Sequence, residues 1–399
     1  MSIKEEFNIY AISTDPIYIG TGGYTIGRVD NTIVRDPITR IPKIPGTSVA
    51  GTWRYYMTLT LQGFYKENFE KINEILSKGY KDRIEAKDVR ELVNRLADKD
   101  LNENKDEFSN RKIKFKKYAK MLKEGCKEEK NDKLSTNIQW EFYWGNLISS
   151  IKCAGQDDKP NEDIENTKLK ELDDIGHCGH CIVCKTFGFS KKQSQQGLAY
   201  FSDLNILFFP VSTRFGVRWI TSPYIIREAG LGEIDDFSDN KIKIVNSADN
   251  YKFLNLGWLN FEVDENKLNG GIDTSNLNEE IRNIIKNKIV VVSDNTISQI
   301  INANLEVRTS VSIDPLTGAA KEGALFTSEA IPRGTVFYGN VRIMDRLEED
   351  EELNSNLIRQ AFEESKIYYE SFGIGGLVTR GFGRLKVYLE QSKYLSQDK

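Results

Sequence analysis

The chain has 399 residues, of which 39% are hydrophobic, and its formal net charge is −4. This length can bury a sizeable core, in one large elaborated domain or in two smaller ones. A negative net charge argues against a protein that coats nucleic acid over its whole surface, but it permits a local cationic groove. No apolar run approaches the ~20 residues that span a bilayer, and the N-terminus lacks a signal-peptide core, so we expect no membrane association.

Cysteine spacing predicts a metal site. Three of the five cysteines stand at C-x₂-C-x₂-C spacing, namely Cys178, Cys181 and Cys184. The continuation typical of iron–sulfur ferredoxins is missing, so structural zinc is the prediction. Its fourth ligand is left open among His177, His180 and Cys153. Clustered cysteines of this kind favour metal ligation in a reducing compartment, and we therefore expect a cytoplasmic protein.

The segment from Gly20 to Arg54 combines a glycine-rich turn, a β-branched run and a helix start. Glu6–Ser13 before it alternates as a first strand. Within it, 31–35 (NTIVR) is predicted to be a strand that ends at the Asp36-Pro37 turn. Gly46, Thr47 and Ser48 offer caps to a helix from about Val49 to Phe64. Free N–H groups at such a start, with a nearby cation, can seat a phosphate. By spacing alone, an ordinary capped helix is favoured.

The remaining elements follow from periodicity and composition. The charge-rich stretch 65–174 is predicted to be a helical insertion, either a solvated one or a lobe that contacts a partner. Further strands are predicted at Asn205–Phe209, from Arg218 towards a short helix near Tyr224, within 240–262, at Ile289–Val292 and at Leu385–Leu389. Helices are predicted at Leu277–Lys288 and Asn354–Phe372.

Four stretches resemble a known family. They are DNTIVRDP with IPKIPGTSVAGTWR near the N-terminus, the Phe187-Gly188 pair followed by Ser202-Asp203, the string from Arg308 to Phe326, and GIGGLVTRGFGR from Gly373 to Arg384. Together they resemble the repeat-associated mysterious proteins (the RAMP superfamily), and within it the backbone subunits of type III CRISPR effector complexes.

The resemblance implies an α+β fold with a ferredoxin-like (RRM-like) βαββαβ core. Residues 1–64 and 185–399 would form this core, with a thumb-like β-hairpin near Arg308–Phe326. Residues 65–174 would form the helical insertion, and 175–188 a zinc-binding loop. The hairpin of such proteins inserts between bases of a guide–target duplex.

The resemblance also implies a function. The chain would bind CRISPR RNA, assemble with other copies and other subunits, and cleave guide-complementary target RNA with Mg²⁺ or a similar ion. Asp30 matches the aspartate of catalytic members. Asp36 is the alternative candidate, but its position before Pro37 is better explained by a role in a turn. The expected RNA-binding residues are Gly22, Gly23, Lys43, Gly46, Thr47, Ser48, Arg54, Arg308, Gly375, Gly376, Arg380 and Arg384.

Two other functions stay open at this point. One is a non-catalytic RNA-binding scaffold subunit of the same complex. The other, ranked last, is a stand-alone zinc-containing RNA-processing endonuclease, because the only two histidines of the chain lie beside the predicted zinc ligands.

Overall fold

The computed structural model describes residues 2–22, 29–67, 152–155, 182–189, 194–245, 251–265, 268, 271–345 and 355–392. Several predictions fall outside these residues, namely most of the insertion, Gly23, His177, Cys178, His180 and Cys181. No helix in the described ranges is both long enough and apolar enough to span a membrane. The chain divides into two compact units: Met1–Glu5, Ala50–Tyr200 and Arg342–Lys366 in the first, and Glu6–Val49, Phe201–Val341 and Ile367–Lys399 in the second.

The strands are, in chain order, β1 (Ser2–Ser13), β2 (Lys43–Ile44), β3 (Gly188–Phe189), β4 (Gln195–Gln196), β5 (Ala199–Phe201), β6 (Leu204–Thr213), β7 (Gly216–Thr221), β8 (Lys241–Ile244), β9 (Phe253–Leu256), β10 (Leu259–Val263), β11 (Ile289–Val292), β12 (Glu306–Ile313), β13 (Ala320–Ala330), β14 (Val336–Asp345) and β15 (Leu385–Gln391). The helices are α1 (Gly46–Glu67), α2 (Ile182–Phe187), α3 (Pro223–Glu228), α4 (Glu279–Ile285), α5 (Ile297–Ala303), α6 (Ser355–Ser365) and α7 (Tyr368–Ser371), with 3₁₀ turns at Lys152–Ala154 and Val378–Arg380.

A large mixed sheet organises the second unit, with strand order β15-β1-β14-β6-β7-β11-β8-β10-β9. The pairs β1–β15, β6–β14, β6–β7, β8–β11 and β9–β10 are antiparallel, whereas β7–β11 and β8–β10 are parallel. The short strand β2, just before α1, is added along β6. The predicted α+β class is therefore confirmed.

The middle of β6 and the whole of β11 are apolar because both faces of the sheet are covered there. In β6, Leu207, Phe208 and Phe209 are all fully buried, and all four residues of β11 are buried. The predicted succession of β7 and α3 is also present. Ser222 ends the strand and caps the helix, with its hydroxyl accepting from the N–H of Ile225.

The predicted strand at 31–35 is not continuous. Asn31, Ile33 and Arg35 each form an isolated bridge, to Ser328, Gly20 and Pro42 respectively. The segment is extended, as its β-branched residues indicate, but successive residues pair with different neighbours. It therefore ties several elements together instead of joining one sheet.

The predicted helix at Asn354–Phe372 is divided into α6 and α7. The hydroxyl of Ser365 donates to the carbonyl oxygen of Ala361 (2.6 Å). Such a bond competes with the backbone ladder and bends helices. Ile367 lies between the two helices and is 54% exposed. The helix α5 carries no strong sequence signal and was not predicted.

A separate two-stranded sheet consists of β12 and β13, paired in antiparallel register from Glu306↔Ala330 to Ile313↔Ala320. This is the hairpin predicted from the Arg308–Phe326 string. Its distal part exposes apolar side chains: Ile313 is 66%, Leu316 94% and Leu325 66% exposed. Exposed apolar residues at the end of a projecting hairpin are typical of a contact surface.

The core of the first unit offers a test of packing. Trp53 on α1 is fully buried, its ring lies 4.9 Å from that of Phe362, and its Nε1 donates to the Ser365 hydroxyl at 3.0 Å. We predict that Trp53→Ala lowers the free energy of unfolding by about 3–5 kcal/mol, because it leaves a cavity in a packed core. The measurement is urea unfolding of the purified chain. Tyr55→Ala on the same helix, at a side chain 41% exposed, is the control, and equal losses for both variants would contradict the prediction.

Candidate nucleic-acid interface

The start of α1 is closed by an acidic side chain. The N–H of Gly46 donates to Oδ1 of Asp203 at 2.7 Å. A Cβ at Gly46 would lie 2.9 Å from the carbonyl oxygen of Ser202, so only glycine allows this approach. The carboxylate satisfies an N–H that the helix itself leaves unpaired. One donor of the predicted phosphate seat is therefore already in use.

Lys43 is held by the same carboxylate. Its Nζ lies 2.7 Å from Oδ2 of Asp203 and 3.1 Å from Oδ2 of Asp36. The bond to Asp203 is the main cause that raises the pKa of Lys43. The N–H of Thr39, followed by Lys43, lowers the pKa of Asp36 to about 2. Asp36 therefore closes its own turn, as its Asp-Pro context predicts.

Three other residues predicted to bind RNA near the helix start differ in their availability. Thr47 is exposed and Ser48 is half-buried. Arg54 instead donates to two main-chain carbonyls, those of Cys153 and Gly188, each at 2.7 Å. Arg54 thus fixes backbone beside the predicted zinc ligands.

Asp30 lies on an exposed loop at the base of the β12–β13 hairpin. Its Oδ2 accepts from the N–H of Thr327 at 2.7 Å and from the hydroxyl of Thr327 at 2.9 Å. These donors, the N–H first, lower the pKa of Asp30. The carboxylate is therefore ionised at neutral pH. Gly22, in the preceding turn, is exposed with φ +76°.

The loop that carries Asp30 is paired with β13. The N–H of Asn31 donates to the carbonyl of Thr327, and the N–H of Glu329 donates to the carbonyl of Asn31, both at 3.0 Å. Arg35 extends the contact through an ion pair of 2.7 Å with Glu329, whose side chain is 12% exposed. Arg35 also donates through Nε to Asn302 on α5 at 2.8 Å. The base of the hairpin is thus anchored on both sides.

The C-terminal glycine string packs against residues 16–18. The N–H of Gly376 donates to the carbonyl of Tyr18 at 2.9 Å. Gly375 has φ +85°, and a Cβ there would lie 2.2 Å from the same carbonyl oxygen. The Gly383 N–H donates to the carbonyl of Pro16. Close backbone packing within the chain therefore explains why glycine stands at these positions, without reference to a ligand.

One hydrogen bond joins this region to the start of α1. The hydroxyl of Tyr369, on the helix that leads into the glycine string, donates to the carbonyl of Val49 at 3.2 Å. The start of α1 and the helix before the glycine string, both predicted to lie near RNA-binding residues, are therefore linked within the second unit.

The arginines of the interface are used unequally. Arg308 stacks over the Phe382 ring at 4.7 Å, donates to the Gly381 carbonyl and pairs with Glu306. Arg384 forms a bidentate pair with Asp15, which raises its pKa. Arg380 is exposed, with no side-chain hydrogen bond or ion pair to the described residues. Arg380 is accordingly the best placed of the three to meet a phosphate.

Of the predicted zinc ligands, Cys153 and Cys184 lie in the described residues, and both are buried. Cys184 is on α2, and the 3₁₀ turn that carries Cys153 packs against that helix. Among the described residues no cluster of three or more His, Cys, Asp or Glu could hold a metal ion. The other candidates, Cys178, Cys181 and the histidines, lie outside those ranges.

Sequence reasoning did not predict three residues that shape the site. In the sequence, Asp203 is only the second residue of a Ser-Asp pair, and neither Thr327 nor Tyr18 stands in a pattern that indicates such a role. Each acts through contacts with residues distant in sequence, and local patterns do not encode such contacts.

The sequence matches a known family over most of its length. Residues 12–386 match the RAMP superfamily, and the chain belongs to it, as the resemblance predicted. It is similar to the CRISPR system Cmr endoribonuclease Cmr4 of Pyrococcus furiosus, with 26% identity over 227 residues, covering 52% of this chain and 75% of the relative.

Solved structures of similar fold include oligomeric Cmr4 from Pyrococcus furiosus, at 14% identity and a TM-score of 0.47, covering 98% of this chain and 99% of that one. Another is a chain of the type III-B Cmr-beta complex bound to cognate target RNA, at 13% identity and a TM-score of 0.47, covering 96% of each chain.

The glycine string provides a second stability test. We predict that Gly375→Ala lowers the free energy of unfolding by about 1–3 kcal/mol or more, because the residue must keep a positive φ while its Cβ meets the Tyr18 carbonyl. Gly51→Ala on α1, where a Cβ meets nothing within 4 Å, should be neutral or stabilising by up to about 1 kcal/mol. The measurement is thermal unfolding of both variants. A Gly375→Ala variant as stable as the original chain would contradict the prediction.

Proposed function

We propose that this chain is a CRISPR RNA-binding backbone subunit of a type III effector complex, of the Cmr kind, and that it cleaves target RNA complementary to the guide. The observation that carries the proposal is the ionised, exposed carboxylate of Asp30, held at the base of the β12–β13 hairpin in a member of the RAMP superfamily. The curated relative, named an endoribonuclease, supports the same activity.

We propose further that the core is ferredoxin-like. The order of β15, β1, β14 and β6 in the sheet supports this. If β1, β6, β14 and β15 are the first to fourth strands, the order is fourth, first, third, second. The helix α1 follows the first strand, and α6 and α7 precede the last, as a βαββαβ unit requires.

The partners in this proposal are the CRISPR RNA, the target RNA, and other copies and subunits of the complex. Single-stranded RNA suits such an interface because splayed bases can rest on apolar side chains, which the distal hairpin exposes. Near the backbone path, Thr47, Ser48, Gly22 and Arg380 are available for phosphate contact. Lys43, Gly46 and Arg384 would act mainly by shaping that surface.

In the proposed reaction, the lowered pKa of Asp30 fits a ligand or orienting carboxylate better than a general base, since a base works best with a pKa near the operating pH. Oδ2 is taken by Thr327, and Oδ1 accepts no hydrogen bond from the described residues, so one oxygen is left for a cation. A single carboxylate together with substrate phosphate oxygens is a usual Mg²⁺ site. Bound Mg²⁺ would stabilise the charge that develops on the phosphate.

The alternative is a non-catalytic scaffold, in which the Asp30–Thr327 contact only braces the hairpin. The two proposals differ in one measurable property, the cleavage of bound target.

We predict that Asp30→Asn, assembled with guide RNA and the other subunits, slows target cleavage by at least about 100-fold. Asn keeps a carbonyl oxygen that can accept from Thr327, so target binding should be unchanged. The measurement is single-turnover cleavage of labelled target with Mg²⁺, beside a binding assay. Asp235→Ala, at an exposed carboxylate, is the control. Cleavage at the original rate with intact binding would favour the scaffold.

We also propose structural zinc held by Cys178, Cys181 and Cys184, with Cys153 or His177 as the fourth ligand. Burial of Cys153 and Cys184 on packed elements supports it.

We expect about one zinc per chain by elemental mass spectrometry, and loss of zinc and of thermal stability in Cys178→Ser/Cys181→Ser, since structural zinc contributes directly to folding. Cys126→Ser should keep the metal. A zinc-free native protein would end this assignment.

A further inference from the structure

We propose that Thr327 is a positioning residue for Asp30, and that through it the β12–β13 hairpin sets the orientation of the carboxylate when the hairpin engages target RNA. This inference rests on the proposed function and adds to it a regulatory link. It predicts that cleavage depends on the seating of the hairpin as well as on the presence of Asp30.

The contact between the two residues is a closed set of three hydrogen bonds. The N–H and the hydroxyl of Thr327 both donate to Oδ2 of Asp30, at 2.7 and 2.9 Å. In the opposite direction, the N–H of Asp30 donates to Oγ1 of Thr327 at 3.1 Å. The hydroxyl thus acts as donor and acceptor at once, which a valine of the same shape cannot do.

Within the described residues, Thr327 supplies the main interactions with this side chain, and the N–H of Asp30 itself adds a weaker one. Asp30 is exposed and lies in a loop, where a carboxylate otherwise exchanges rotamers freely. With Oδ2 fixed, the position of Oδ1 follows from the geometry of Thr327. Catalytic groups require placement of this kind, because small displacements cost rate steeply.

The loop moves with β13 because their main chains are paired. The parallel bridge at Asn31 and Ser328 includes two backbone bonds of 3.0 Å, and the Asn31 amide adds a bond to the Ser328 hydroxyl at 3.3 Å. The Arg35–Glu329 ion pair lies at the next residue of β13. A shift of β13 therefore carries Asp30 with it.

The other end of the same hairpin is the part suited to touch RNA. The hairpin is a separate two-stranded sheet, and its distal residues Ile313, Leu316 and Leu325 are exposed and apolar. The register shifts between Val311 and Ile313, so the regular pairing that includes Thr327 runs from Val311↔Leu325 to Glu306↔Ala330. RNA bases that displace Leu325, an exposed residue at the end of this regular pairing, would therefore move the rest of β13, including Thr327.

The test uses the assembled effector complex with guide RNA and a labelled target. We expect Thr327→Val to slow single-turnover cleavage by about 10–100-fold, the range seen when an orienting partner of a catalytic ligand is lost. Its affinity for target should stay within about twofold. Thr327→Ser, which restores a hydroxyl, should recover most of the rate. Thr309→Val is the matched control, since Thr309 is exposed and directly opposite Thr327 in the hairpin register.

Failure of this inference can be distinguished from failure of the proposed function. If Asp30→Asn cleaves at the original rate, the catalytic assignment itself is wrong. If Asp30→Asn is inactive while Thr327→Val cleaves normally, only the positioning role is wrong. In the double variant, Thr327→Val should add no further loss to that of Asp30→Asn, because the two residues act as one unit.

A purely structural role for Thr327 has its own signature. Thr327→Val would then lose target binding or assembly together with cleavage, and Thr327→Ser would not restore the rate selectively. If the valine variant does not assemble, Thr327→Ala is measured in the same way. Failure of both variants to assemble would overturn the proposal in favour of a structural brace.

Discussion

The arrangement of the interface depends on the pairing of the 30–35 segment with β13. Two main-chain bonds at Asn31, the Asp30–Thr327 contacts and the Arg35–Glu329 ion pair all cross the same short boundary. Because β12 and β13 form a sheet of their own, these contacts substitute for the ladder that a strand in the main sheet would have. Arg308 on β12 adds contacts with the Phe382 ring and with the Gly381 carbonyl.

A second constraint is that most cations near the interface are already neutralised. Lys43 pairs with two carboxylates, those of Asp36 and Asp203. Arg384 pairs with Asp15 and Arg308 with Glu306. Arg54 donates to main-chain carbonyls. Exposed pairs of this kind contribute little stability individually, but they fix side-chain positions. Backbone recognition would therefore rely on a few available donors such as Thr47 and Arg380. This agrees with a net charge of −4 and with a shaped surface more than a strongly cationic one.

The sequence predicts elements well where local chemistry decides them, and less well where distant contacts do. The start of α1 follows from its Pro-Gly-Thr-Ser run and β11 from its β-branched composition, whereas the hairpin was implied by the family resemblance of the Arg308–Phe326 string. The glycine string was also identified, but the need for glycine there comes from close packing within the chain. Gly375 lies against the backbone of Tyr18, and Gly383 lies against the backbone of Ile374. By contrast, the bridges of 31–35 and the break at Ser365 depend on partners far away in the chain. Asp203 and Thr327 escaped notice for the same reason, since each acts on a residue more than a hundred positions distant.

The contact between Asp30 and Thr327 is compatible with both catalysis and simple bracing, because an ionised carboxylate is a strong acceptor in either role. What separates the two is the use of the second oxygen. A brace gains most when both oxygens are paired, as Asp15 pairs bidentately with Arg384 in the same unit. At Asp30 both donors of Thr327 converge on Oδ2, and Oδ1 takes no hydrogen bond from the described residues although the side chain is at the surface. In the proposed reaction, a carboxylate that is oriented through one oxygen keeps the other for a cation, and this favours the catalytic role.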